Sequence, residues 1–168
     1  MRWVLRIAGA LAAALVLALA VGATWQAWVT KHDRAEHPAP GRMLTVEGMD
    51  LHLDCRGTGR PVVVLEAGLT SGSTSWVLVH DAMSRDTEVC AYDRPGLDWS
   101  EPGDGPARAD VVARRLHALL GAAGLEGPYV LVGMSAGGVY VRTFRKLYLT
   151  DVAGLVLVDS SHEQQGLR

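Results

Sequence analysis

Tyr129-Val130-Leu131-Val132-Gly133-Met134-Ser135-Ala136-Gly137-Gly138 is the stretch whose reading decides the fold. The apolar residues ahead of Gly133 predict a buried parallel strand, and those beyond Ser135 predict the opening of a helix. Gly133, Ser135 and Gly137 stand at G-x-S-x-G spacing. A strand that turns directly into a helix forces its central residue to positive φ. The residues two positions away then press against it, and only glycine fits there comfortably. Such a turn lifts the Ser135 hydroxyl out of the backbone and aims the first helix amides at the place where negative charge would develop. Ser135 is therefore the candidate nucleophile and the Ala136 N–H a candidate oxyanion donor. The alternative is a chance glycine turn holding an exposed serine, and the apolar strand in front argues against it.

On the downstream side, Tyr140, Val141, Phe144, Leu147 and Tyr148 continue the helix. Val152 to Val158 reads as a final strand, followed by Asp159-Ser160-Ser161-His162-Glu163. On the upstream side, Val111, Val112, Leu116, Leu119 and Leu120 predict an amphipathic helix from about Arg108 to Ala123. His117 falls on or beside its polar face and reads as solvated. Glu88 to Asp93 predicts a strand closed by Arg94-Pro95-Gly96. There Asp93 reads as a turn residue accepting backbone bonds, with Arg94 paired nearby. The run Val62-Val63-Val64-Leu65 has the character of a strand covered on both faces.

The loop after that run, Glu66 to Trp76, is built of small residues, so its amides can approach a ligand closely. The Leu69 N–H is the candidate from this loop for a second oxyanion donor; the plain reading is an ordinary strand-to-helix loop. Trp76 to Met83 reads as a helix. Further back, Met43 to Val46 and Met49 to Cys55 alternate around Glu47-Gly48, which predicts an antiparallel hairpin with His52 pointing outward.

Arg2 and Arg6 precede an unbroken apolar run from Ile7 to about Trp25, long enough to cross a bilayer as a helix. Trp25 and Trp28 stand where interfacial aromatics sit. An uncleaved anchor is the favoured reading, with residues 1–29 in the span and the remainder exported. A cleaved secretory signal, cut near Val21 to Thr24, is the competitor. Residues 30–41 carry charge and proline and predict an exposed linker. In it His32 and His37 read as solvated rather than as metal ligands. Residues 42–168 form the domain. The formal charge of −2 over 168 residues implies no nucleic-acid partner. Two cysteines are too few for a disulfide scaffold and lack metal-site spacing.

The order strand, strand, strand, helix, strand, helix, strand-turn-helix, strand resembles the N-terminal part of an α/β-hydrolase. Leu65-Glu66-Ala67-Gly68, Tyr92-Asp93-Arg94-Pro95-Gly96, Trp99-Ser100-Glu101-Pro102, Gly133 to Gly138 and Leu157-Val158-Asp159 resemble segments of membrane-anchored or secreted bacterial members. The resemblance implies an α/β fold with a mostly parallel sheet of strands 1–6, flanking helices, and the C-terminal strands missing. It implies acyl chemistry on a small-molecule ester-type substrate, with Ser135 as nucleophile and the Leu69 and Ala136 amides as oxyanion hole. A serine at the turn, rather than an aspartate, argues against epoxide hydrolases and dehalogenases. Neither a cofactor nor a metal is expected for that chemistry.

Ala67 and Met134 replace histidines that many relatives carry, without altering this reading. Length is the larger departure, because family members continue through two more strands, a cap and the triad acid and histidine. Asp159 follows the sixth strand, where some relatives place the acid; its alternative is a capping or loop aspartate. His162, three residues beyond that strand, stands in the wrong place for the base. A non-catalytic remnant, or a half-enzyme completed by a complementing C-terminal fragment, is therefore the rival expectation. In this fold the strands bearing Cys55 and Cys90 are antiparallel neighbours, so an exported chain could bridge them; two buried free thiols are the alternative.

Overall fold

The structure, a computed structural model, describes residues 2–105 and 107–162 and divides into two units at Pro38/Ala39. The first unit is the helix α1 (Arg2–Glu36). Its segment Arg2–Asp33 is apolar and long enough to cross a membrane. Helix continues through most of the expected linker, which leaves only residues 37–41 before the first strand. No proline occurs before Pro38, and local pairs support the extra turns. Gln26 donates to Thr30, and His32 pairs with Glu36 at 3.3 Å, both at i,i+4 spacing. Trp28 stacks on His32 within the same stretch.

In the second unit six strands form one sheet in the order β1-β2-β4-β3-β5-β6. Their ranges are β1 (Arg42–Val46), β2 (Met49–Arg56), β3 (Val63–Glu66), β4 (Val89–Tyr92), β5 (Tyr129–Met134) and β6 (Val152–Val158). The β1–β2 hairpin and the β2–β4 pair are antiparallel, whereas β3, β4, β5 and β6 run parallel. This is the expected α/β-hydrolase sheet, carrying its first six strands.

Alternation along the apolar runs supplies two cores. Val62, Val64 and Leu131 face one side, where α3 (Ala109–Ala122) and α4 (Gly137–Leu147) cover them with Leu116, Leu119, Leu120, Val141 and Phe144. Val63, Leu65 and Val132 face the other side, against Trp76 and against Met83 at the end of α2 (Val77–Met83). Burial on both faces is why these strands read as continuous apolar runs instead of alternating ones. His117 is half-buried rather than solvated. It stacks on Tyr148 at 3.9 Å and lies 3.0 Å from Asp151.

Cys55 and Cys90 are joined by a disulfide. They stand directly opposite each other in the β2–β4 register. The antiparallel pairing of β2 with β4 is what brings these two positions together.

Candidate active site

Ser135 lies between β5 and α4 with φ at +51°. A Cβ at Gly133 would stand 2.7 Å from the carbonyl oxygen of Gly137, and one at Gly137 would strike the carbonyl of Glu66. Both glycines are therefore required by close backbone approach, as the spacing predicts. Ala136 precedes the first turn of α4, in which the Gly138 and Val139 amides donate back to the Ser135 and Ala136 carbonyls at 3.1 and 3.0 Å. The Ser135 N–H donates to Val158 at 3.1 Å, and its carbonyl accepts from Ser161 at 2.9 Å. The turn is thus stitched to the end of β6, which brings Asp159 beside it with φ at +41°. Arg142 of α4 holds the same segment, donating to the Ser161 carbonyl at 2.8 Å.

The loop after β3 approaches from the other side. A Cβ at Gly68 would lie 3.5 Å from the Ser135 Cβ, so the loop backbone runs directly past the serine. The next residue is Leu69, whose side chain is exposed. One charged group organises this loop. Arg94 is buried, and its Nη1 donates to the Ala67 carbonyl at 2.8 Å. Its Nη2 donates to the carbonyls of Gly68, Leu69 and Ser71. The guanidinium also pairs with the fully buried Glu66, which accepts in addition from the Tyr92 hydroxyl. Burial pushes the Glu66 carboxyl up, against the opposing pull of Arg94. The sequence offered Arg94 as a paired residue; that its partners include the loop carbonyls was not legible.

A second buried polar group lies where the middle of β2 meets the end of β4. His52 is fully buried, contrary to the outward orientation expected of it. The alternation was right: His52 faces away from Leu51 and Leu53. However, that face of β2 is covered by Trp99, with its ring 5.0 Å away, and by Ser73 and Asp93. His52 Nδ1 lies 2.7 Å from Asp93 Oδ2, and Nε2 lies 2.6 Å from the Pro40 carbonyl. Asp93 also accepts from the Ser73 and Trp99 amides, the backbone-binding role expected of it. Burial alone would raise the Asp93 carboxyl, but the hydrogen bonds from His52 and Ser73 hold it below its ordinary range. Burial opposes the His52 charge too, yet Asp93 and the Pro40 carbonyl raise its pKa overall.

These contacts leave His52, His80 and His117 bound away from Ser135: His52 to Asp93, His80 to the Val89 carbonyl and His117 to Asp151. The structure brings together Ser135, Ala136, the Gly68–Leu69 loop and the Asp159 segment. The only described group of possible metal ligands, Cys55, Glu88 and Cys90, has both sulfurs in the disulfide.

Residues 61–167 match the family model for the alpha/beta hydrolase fold. An uncharacterized protein of Schizosaccharomyces pombe is 32% identical over 156 residues, covering 75% of this chain and 29% of its own length. An uncharacterized vacuolar membrane protein of Saccharomyces cerevisiae is 31% identical over 109 residues, covering 62% of this chain and 17% of its own. Among solved structures, an esterase from Thermogutta terrifontis superposes with a TM-score of 0.65 at 29% identity. That match covers 71% of this chain and 45% of the esterase. The chain therefore spans less than half the length of each of these relatives.

Proposed function

This chain belongs to the α/β-hydrolase fold family, and we propose that it is the nucleophile-bearing part of a serine hydrolase acting on a small ester or similar acyl substrate, held at a membrane by α1. The observation that carries the reading is Ser135 at positive φ, fixed between two obligatory glycines at the start of α4, with the Gly68 backbone running beside it. In this reading Ser135 Oγ attacks the acyl carbon. The amides of Ala136 and Leu69 receive the negative charge that develops on the carbonyl oxygen. Each such donor is worth about 3 kcal/mol of barrier. Collapse of the intermediate expels the alcohol, and water then releases the acid.

The catalytic proton needs a base, and His52, His80 and His117 are committed elsewhere. Asp159, adjoining the Ser135 turn, is the proposed acid. The base is assigned to sequence of the kind that the relatives carry outside the matched portion. The same observations favour a second reading, in which the 168-residue chain turns over substrate only with a complementing C-terminal part. The length and apolar character of α1 support the membrane assignment, with the domain on the exported side, where the Cys55–Cys90 bridge would persist.

Labelling of the full chain in detergent with a fluorophosphonate tests the proposal. Ser135-dependent labelling is expected, abolished in Ser135→Ala. An unlabelled parent defeats the autonomous hydrolase and leaves the complemented one, for which labelling should appear on adding a complementing C-terminal fragment.

A further inference from the structure

Arg94 belongs to neither the proposed nucleophile nor the proposed oxyanion donors, yet it touches the elements that carry both. Its guanidinium gathers the carbonyls of Ala67, Gly68, Leu69 and Ser71 onto one side. Across a trans peptide the carbonyl and the following N–H point in opposite directions. With the Gly68 oxygen turned to Arg94, the Leu69 N–H is turned away from it. The Gly68 oxygen is fixed further by the Ser71 N–H at 3.2 Å. The same guanidinium lies over the Tyr140 ring of α4, 5.1 Å from its centroid. Tyr140 follows Ser135 by just over one helical turn, and its N–H donates back to the Ala136 carbonyl. Glu66 balances the charge and so allows a guanidinium to stay buried at this position.

We propose that Arg94 is a positioning residue that sets the direction of the loop amides at residues 68–69 and ties that loop to α4, the helix that follows Ser135. The inference deepens the hydrolase reading and rests on it for the meaning of the Leu69 amide, although the anchoring of the loop stands separately. A lysine keeps the charge opposite Glu66, but its compact ammonium cannot span carbonyls spread over five residues as the planar five-donor fork does.

Arg94→Lys in the full chain separates the possibilities, with fluorophosphonate labelling resolved into reversible binding and the maximal rate of serine modification. The proposal expects the maximal rate to fall at least about tenfold, below the full loss of an oxyanion donor, with reversible binding unchanged. It also expects the Ser71 amide to exchange hydrogen about tenfold faster, because its acceptor is no longer held. A variant that labels at the parent's rate, that loses only reversible binding, or that leaves Ser71 exchange unchanged overturns it. If the parent itself is not labelled, the autonomous hydrolase fails and the exchange result alone decides whether Arg94 holds the loop. If Arg94→Lys does not fold, Glu66→Gln/Arg94→Gln replaces the ion pair with two neutral amides, and the same measurements apply.

Discussion

His52 places both ring nitrogens against groups that only accept, an ionised carboxylate at Asp93 and the backbone carbonyl of Pro40. Both nitrogens can donate only when the ring is protonated, so the arrangement favours the charged form. Because folding raises the His52 pKa, its contribution is complete below the ordinary value of 6.5 and is lost as pH rises through the raised value. Asp93 is shifted downward, so its contribution is complete above 3.8 and is lost as pH falls through the lowered value. The pair thus stabilises the domain most between those ordinary values. His52→Gln should destabilise it by about 3 kcal/mol at pH 6, since it leaves a buried carboxylate without its counter-charge. Thermal midpoints measured from pH 5 to 9 should fall for the parent above the raised His52 value and stay level for the variant. Parallel curves would show that His52 is not charged in the folded protein.

At the scale of elements, the β2–β4 pair carries a covalent cross-link where β3 and β5 rely on packing and backbone bonds. A bridge enclosing 35 residues of separation should contribute about 3–4 kcal/mol through the unfolded chain. Reductant should lower the urea midpoint of the parent by that equivalent and leave Cys55→Ala/Cys90→Ala unaffected; equal sensitivity of the two would refute it. The strands themselves were legible because Val62 to Leu65 and Tyr129 to Val132 are apolar without interruption, and the turn at Ser135 because its glycines have no substitute. Less legible were features that depend on what covers an element. Alternation showed that His52 and Leu51 face opposite ways, but not that Trp99 and Pro40 would close over the histidine. Charge and polarity at residues 30–36 suggested a linker, although nothing there opposes a helix. The reach of Arg94 to four carbonyls, several of them contiguous, depends on a loop conformation that no residue pattern encodes.

For the whole molecule, the sheet is unequal at its two sides. The β1 side is a hairpin, whereas β6 pairs only with β5 among the described residues and leaves Val156, Leu157 and Val158 exposed. An apolar parallel strand with a free edge invites pairing with a second chain. The 168-residue protein should therefore self-associate in size-exclusion chromatography, and Val156→Lys should shift it toward the monomer with little change in stability. An equal elution volume for both would place the association elsewhere. The disulfide has a consequence in time as well as in energy. A chain made from its N-terminus presents Cys90 about 45 residues before Ser135. Both bridged positions thus precede β5, the serine turn and β6 in the chain, so the cross-link closes the first half of the sheet without needing any of them. β3 lies within the segment that the bridge closes and sits on the open side of β4, where β5 and β6 continue the sheet.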